Sequence, residues 1–275
     1  MDINKIVHLA ADAGRIILEN GGETYRVEDT ISRICNAYSL HQAESFVTPT
    51  GIMLSVTDIY GQTISIVKRI KTRTVDLEKI SRVNDLSRNI KARGLTAENV
   101  KEELQRIDSI KKYSRKTIIL FSAFSAAFFT LLFGGGISDF VISFFTGGII
   151  KWFSISLSYI KINDFFINII GGAIAALLAL LAVNLGLATS VDKIIIGSIM
   201  LLVPGLSITN AIRDTISGDL VSGISRALEA FLIAVGIAVG SGIVLRFWFI
   251  YSGGIWYDFK CFICSGWNPR ICYTF

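Results

Sequence analysis

An uncharged apolar run from residue 117 to residue 133 constrains this chain more than any other feature. A run of about 17–20 such residues is long enough to cross a hydrocarbon core of roughly 30 Å as a helix. The basic residues Lys111, Lys112, Arg115 and Lys116 stand directly before it. Because positive charge beside a span favours the cytoplasmic side, this end is predicted to lie in the cytoplasm.

Charge is distributed unevenly on either side of this boundary. Residues 1–116 contain 19 basic residues (Lys or Arg) and 15 acidic residues (Asp or Glu). Residues 117–275 contain only 8 basic and 7 acidic residues. The hydrophobic content of 52% argues against a disordered chain, and the apolar second part argues against a purely soluble one. We interpret the net charge of +5 as an orientation signal, so no nucleic-acid partner is expected. No secretory signal is expected either, since charges recur through the first twenty residues.

The polar part, residues 1–116, is predicted to be a cytoplasmic α+β domain in the order α-α-β-β-β-α-α. Gly21-Gly22 ends the first helix, and a Pro and Gly turn at 48–51 separates the first two strands. Asp76 and Thr96 are suitable N-caps for the last two helices. A domain of roughly 110 residues can bury a core of its own.

The sequence contains no recognisable catalytic or metal-binding motif. His8 and His41 lack metal-ligand spacing to another His or Cys, and no nucleophile elbow or phosphate loop is present. The turns at 21–24 and 48–51 fit ordinary helix-end and hairpin turns, with ligand binding as the alternative. We therefore predict no enzyme activity, no metal and no cofactor, and we expect Cys35 to be buried on an apolar helix stripe.

The second part is predicted to be an α-helical transmembrane domain over residues 117–250. Its five predicted spans are residues 117–133, 140–158, 165–187, 194–212 and 227–250. If the second segment spans the membrane, Lys151 must either extend its charge to the membrane surface or face the helix bundle. Alternatively, the second span is short, and residues 152–160 lie in the membrane interface. The chain is thus expected to be a multi-pass protein of the plasma membrane, in contact with the lipid bilayer. The odd number of spans suggests that another subunit completes the bundle.

A polar constellation follows a predicted helix break near the membrane. Pro204 removes a backbone donor, and broken helices in transporters expose backbone groups that bind substrates. Asn210 and Asp214 share a helix face, and Arg213 is suited to bind a carboxylate. A cytoplasmic loop with mutually neutralising charges is the alternative. The candidate binding residues for a small-molecule substrate are Pro204, Gly205, Thr209, Asn210, Arg213 and Asp214.

Three further charges lie at the entry to the last predicted span. Asp219 and Glu229 are candidate proton-coupling residues, because acids at a membrane boundary are not needed for orientation. Arg226 lies three residues before Glu229 on the same helix face and is a possible ion-pair residue.

The C-terminal tail, residues 251–275, fits neither a further span nor a domain. Cys261 and Cys264 have the spacing of a zinc or redox motif, but no second pair accompanies them. We expect no metal there and base no functional argument on the tail.

Several separated motifs resemble the threonine/serine exporter family. In the polar part these are Gly21-Gly-Glu-Thr-Tyr-Arg-Val-Glu-Asp29, Phe46-Val-Thr-Pro-Thr-Gly-Ile52 and Val83-Asn-Asp-Leu-Ser-Arg88. In the apolar part they are 203–205, 209–214 and 218–229. The resemblance covers roughly residues 5–250, and the five-span form is similar to the larger subunit of split exporters.

The resemblance implies proton-driven export of threonine and serine, or of dicarboxylates such as succinate, together with a smaller membrane subunit of the same family. A membrane-anchored enzyme, or a metabolite sensor acting through the N-terminal domain, is the alternative of another class. The residues of the N-terminal domain offer no nucleophile and base pair for the enzyme.

Overall fold

The structure, a computed structural model, describes residues 3–40, 42–58, 61–110, 113–160 and 162–251. The tail, with Cys261 and Cys264, lies outside the described residues apart from Tyr251, as does His41. The chain forms two compact units. One unit contains the described residues through 110 together with Pro204–Phe231, and the other contains Tyr113–Val203 and the chain from Leu232 onward.

The N-terminal residues fold in the predicted order of elements. The helices and strands are α1 (Ile3–Glu19), α2 (Thr24–Ala37), β1 (Gln42–Thr48), β2 (Gly51–Thr57), β3 (Thr63–Arg69), α3 (Leu77–Arg93) and α4 (Ala97–Asp108). The strands form one antiparallel sheet in the order β1-β2-β3. Val47, Ile52 and Leu54 of the sheet are buried in a core shared with the helices, because alternate strand residues point to one face. Cys35 is buried in the same core, as predicted.

The helix ends of this part are fixed by the residues that the sequence indicates. The Asp76 carboxylate accepts a hydrogen bond from the Lys79 N–H at 3.2 Å, and the Thr96 hydroxyl accepts one from the Asn99 N–H at 3.3 Å. Gly94 ends α3 in the left-handed conformation, with φ of 59°. These contacts satisfy backbone groups that a helix end leaves without partners.

Four helices of the described residues are long and apolar enough to cross a membrane. They are α5 (Arg115–Leu132), α6 (Ile137–Tyr159), α7 (Asp164–Asn184) and α10 (Leu220–Tyr251). α6 continues without interruption past Lys151, so the second apolar segment is one helix of 23 residues.

The predicted fourth span, 194–212, is not a single helix. It corresponds to α8 (Val191–Ile199) and α9 (Gly205–Ile216), of 9 and 12 residues, and each is shorter than the roughly 20 residues a span needs. The interruption ends at Pro204, which lacks an N–H and has ψ of 59°, outside the helical range. The structure therefore does not support a count of five long spans, and α9 belongs to the unit that contains the N-terminal residues.

Small residues allow close helix packing in the apolar unit. A Cβ added to Gly172 would lie 2.5 Å from the Ile237 carbonyl oxygen, and one added to Gly240 would lie 1.9 Å from that of Ile169. The α7 and α10 backbones thus approach more closely than any larger residue permits.

Candidate functional site

The site is organised by the turn between α1 and α2, residues 21–24. Gly21 has φ of 93°, and a Cβ on Gly22 would lie 2.3 Å from Cγ2 of Ile17. Two consecutive glycines therefore allow the chain to reverse tightly over the end of α1.

Side chains from α9 and from the first turns of α10 bind the carbonyl oxygens of this turn. The Asn210 amide donates to the Gly21 carbonyl at 2.9 Å. The Arg226 guanidinium donates through Nη2 to the Gly22 carbonyl at 2.8 Å. Both side chains belong to buried residues, so these two bonds replace hydration that the carbonyl groups have lost.

Asp214 is fully buried and lies between Arg226 and the beginning of α2. Its Oδ1 accepts a hydrogen bond from the Thr24 N–H at 3.3 Å, and its Oδ2 lies 2.9 Å from Arg226 Nε. The N-cap residue Glu23 makes no side-chain capping bond. Asp214 therefore supplies a negative charge at the N-terminus of α2, where the helix dipole favours it.

Asp219 binds the same residue of α2 from the turn that follows α9. Its Oδ2 accepts a hydrogen bond from the Thr24 hydroxyl at 3.1 Å. Gly218, with φ of 94°, permits the turn, and the Asp219 N–H donates to the Asp214 carbonyl at 2.9 Å. Two carboxylates from distant parts of the sequence thus meet at Thr24.

Two arginines converge on the carboxylate of Glu23. Arg213 forms an ion pair with Glu23 Oε1, and Arg26 Nε lies 2.7 Å from Oε2. Burial raises the pKa of Glu23, but the bond from its own N–H and the two guanidinium groups outweigh burial and lower that pKa below its ordinary value. Glu23 is consequently ionised and fixed, while 48% of the Arg213 side chain stays exposed.

Glu28 lies one helical turn beyond Thr24 and is half-buried. Its Oε1 accepts a hydrogen bond from the Val47 N–H of β1 at 3.1 Å. The pKa of Glu28 is raised, first by burial and then by the charges of Asp219 and Asp214, against the lowering effect of the Val47 bond.

The remaining predicted residues lie outside this cluster. Glu229 forms an ion pair with Arg73 at 2.9 Å, and both side chains are more than one-third exposed. Pro204 and Gly205 begin α9, and the exposed Thr209 donates to the Gly205 carbonyl at 3.0 Å. The structure therefore brings together Asn210, Arg213, Asp214, Asp219 and Arg226, and it leaves Pro204, Gly205, Thr209 and Glu229 apart.

Sequence reasoning did not assign a functional role to Glu23, Thr24, Arg26 or Glu28. Glu23 and Thr24 lie about 190 residues before Arg213 and Asp214, and spacing along the chain cannot indicate such a contact. The signal that was available is the Gly-Gly turn, for which ligand binding was the alternative to an ordinary helix-end turn.

A comparison with known protein families covers both of these regions of the chain. A family model described as "Putative threonine/serine exporter" matches residues 8–248. The chain belongs to the threonine/serine exporter family. As a member, it is a multi-pass membrane protein of a family of exporters rather than of enzymes.

Individual relatives are similar over most of this chain. A protein named "Threonine/serine exporter" from Corynebacterium glutamicum is 28% identical over 88% of this chain and 51% of its own length. A "Probable threonine/serine exporter" from Mycobacterium tuberculosis is 24% identical over 88% of this chain and 46% of its own. The chain thus spans about half the length of these two relatives.

A third relative has nearly the length of this chain. A "Probable succinate transporter subunit YjjP" from Klebsiella aerogenes is 22% identical over 88% of this chain and 94% of its own length. No solved structure matches this chain.

Proposed function

We propose that this chain is a subunit of a proton-coupled exporter that moves threonine and serine out of the cell, with its N-terminus in the cytoplasm. The observation that carries the proposal is the family match over residues 8–248, which includes both compact units. The basic residues that precede α5 support the orientation.

The charges at the site favour a zwitterion as substrate. The guanidinium groups of Arg213 and Arg226 already have carboxylate partners, in Glu23 and Asp214 respectively, and Arg26 also pairs with Glu23. Asp219 and Glu28 are further carboxylates of the site, so the site has no excess of positive charge. A ligand with one ammonium and one carboxylate leaves that balance unchanged, whereas a dianion does not.

We propose separate roles for the predicted binding residues. Arg213, with its half-exposed side chain, binds the substrate carboxylate, and Asp219 binds its ammonium group. Asn210 and Asp214 hold the turn and α2 in the position that places Arg213. Proposed binding at Pro204, Gly205 and Thr209 uses the free backbone groups at the break before α9. Proton coupling is proposed at an acid of this region, for which the sequence indicates Asp219 and Glu229.

Succinate export is a second candidate, favoured by one observation. The chain covers 94% of the relative named as a succinate transporter subunit, against about half of the two named exporters. The same observation supports the proposal that a second, smaller membrane subunit completes the transporter.

Efflux of threonine, serine and succinate from loaded cells tests the proposal. We expect faster threonine and serine efflux with the chain and its partner than with neither, and a collapse when the proton gradient is dissipated. Faster succinate efflux alone would favour the second candidate, and equal efflux of all three compounds would contradict export.

Substitutions test the proposed site. Arg213→Ala is expected to reduce efflux at least about tenfold, because one bidentate carboxylate contact contributes about 1.5–3 kcal/mol. Arg106→Ala is a matched control, since the Arg106 side chain on α4 is 78% exposed. An Arg213→Ala protein that inserts normally and exports at the parental rate would show that the site is assigned wrongly.

A further inference from the structure

We infer that Glu28 is the residue that takes up the coupling proton, and that its protonation stabilises the contact of α2 with α9 and with the turn that follows α9. The coupling part of this inference rests on the proposed function. The protonation itself can be measured without transport. Glu28 was not among the residues that the sequence indicated, which were Asp219 and Glu229.

The first argument is the position of Glu28 within α2. Thr24 and Glu28 are four residues apart and lie on the same face of the helix. Thr24 binds Asp214 through its N–H and Asp219 through its hydroxyl. The Glu28 carboxylate is thus on the helix face that receives both of these acids.

The second argument is the charge that faces Glu28 from each neighbouring element. Asp214 of α9 and Asp219 of the following turn both act on Glu28 as like charges. β1 contributes the N–H of Val47, and α10 contributes Ser222, whose hydroxyl donates to the Val47 carbonyl at 3.2 Å. Among the residues that the structure describes, no basic side chain forms an ion pair with Glu28.

The cation that pairs with Asp214 is already engaged. Arg226 lies 2.9 Å from Asp214 and also binds the Gly22 carbonyl. Its positive charge therefore balances the negative charge of Asp214, and Arg226 does not balance the charges of Glu28 and Asp219. Two ionised carboxylates near one another in a partly buried site disfavour ionisation, so one of them binds a proton more readily than in water.

Glu28 is better suited to this role than the other two acids. Glu229 is paired with Arg73, and its side chain is more than one-third exposed. Asp219 accepts a hydrogen bond from the Thr24 hydroxyl, so its carboxylate already has a partner on α2. Glu28 is half-buried beside these like charges, and burial raises its pKa.

Protonation has a direct consequence for the contact between elements. Glu28 takes a proton from a hydronium ion and releases water, so the site loses one negative charge and no other bond is broken. Repulsion between α2 and the Asp214–Asp219 segment then falls, and the two bonds at Thr24 strengthen. Ionisation of Glu28 has the opposite effect and loosens α9.

Hydrogen–deuterium exchange on the full-length protein tests the protonation. In the unsubstituted protein, exchange in peptides covering 205–220, corrected for the intrinsic pH dependence, is expected to become several-fold faster as pH rises through one titration midpoint. In Glu28→Gln that step should disappear, with slow exchange throughout. A step that persists in Glu28→Gln, or the absence of any step in the unsubstituted protein, would overturn the inference.

Transport in proteoliposomes distinguishes this inference from the proposed function. Glu28→Gln is expected to lose threonine accumulation driven by a pH gradient and to retain threonine exchange, which needs no net proton movement. Glu44→Gln is the matched control, because Glu44 is an exposed carboxylate on β1. Unchanged gradient-driven accumulation in Glu28→Gln contradicts the inference alone. An absence of threonine transport by the unsubstituted protein would contradict the proposed function. The pH step in hydrogen–deuterium exchange would then still decide whether Glu28 binds the proton.

Discussion

The two compact units of the chain are stabilised by different kinds of contact. In the unit containing the N-terminal residues, α9 and the beginning of α10 are held by ion pairs and hydrogen bonds to the turn 21–24. In the other unit, α7 and α10 are held by close backbone approach at Gly172 and Gly240. The first type of contact responds to pH and to charged ligands, whereas the second does not, and this is why we propose the binding site in the first unit.

The buried acids of the two units also differ. Asp139, at the beginning of α6, accepts hydrogen bonds from the N–H groups of Gly136, Thr189 and Ser190 at 2.7–3.1 Å. It joins two turns of the apolar unit and has no charged partner among the described residues. Asp214 instead faces Arg226 and other carboxylates. An acid that is held by backbone donors is structural, while an acid in a group of charges can exchange partners.

The largest expected effect comes from breaking the buried ion pair of the first unit. Arg226→Ala leaves the buried Asp214 without its charge partner, and we expect a loss of about 3–5 kcal/mol in the free energy of unfolding. Reversible denaturation in detergent micelles measures it. The double variant Arg226→Met with Asp214→Leu should recover most of the loss, because it removes both charges. Failure to recover would show that Arg226 acts mainly through the Gly22 carbonyl.

A glycine substitution gives the corresponding test in the apolar unit. Gly240→Ala is expected to destabilise the protein by about 1–3 kcal/mol, because the new methyl group overpacks the contact with Ile169. Gly242→Ala is the control, since nothing lies within 4 Å of a Cβ there. Both variants should show the same pH dependence of stability as the parent. A changed pH dependence in Gly240→Ala would contradict the division between the units.

The local features of the fold could be predicted from the sequence. The caps Asp76 and Thr96, the glycine stop at Gly94 and the antiparallel strands follow from rules that act over a few residues. The break at Pro204 was expected for the same reason, although the number of long spans was not. Hydropathy detects apolar length, and it does not show that α9 packs with the N-terminal residues.

The site was only partly predictable for a related reason. Asn210, Arg213 and Asp214 were identified as one group because they are close in sequence, and Arg226 was placed in a second group with Asp219 and Glu229. Their partners Glu23 and Thr24 lie about 190 residues earlier, and only the folded chain brings them together. Arg226 was a possible ion-pair partner of Glu229 because the two lie on the same helix face. In the structure Arg226 instead pairs with Asp214, and Glu229 pairs with Arg73.

The two glutamates at the beginning of α2 should show opposite pH effects. The pKa of Glu23 is lowered in the folded protein, so its contribution to stability is present at neutral pH and is lost as pH falls below about 4.3. The pKa of Glu28 is raised, so its ionisation costs stability as pH rises through that folded value. Thermal unfolding at pH 7 should therefore find Glu23→Gln less stable and Glu28→Gln more stable than the parent, and both differences should shrink as pH falls below the folded pKa of each group. Parallel shifts of the two variants would contradict the different environments.

The smallest effect is expected at the exposed ion pair of α10. Arg73→Ala removes the partner of Glu229, and because both side chains are more than one-third exposed we expect a change of about 0.2–1 kcal/mol. Raising the salt concentration should reduce even this difference, since exposed charges are screened. Compared with Arg226→Ala in the same denaturation experiment, Arg73→Ala separates the effect of burial from the effect of charge. Equal losses at the two arginines would mean that burial of the Asp214 pair does not determine the stability of this contact.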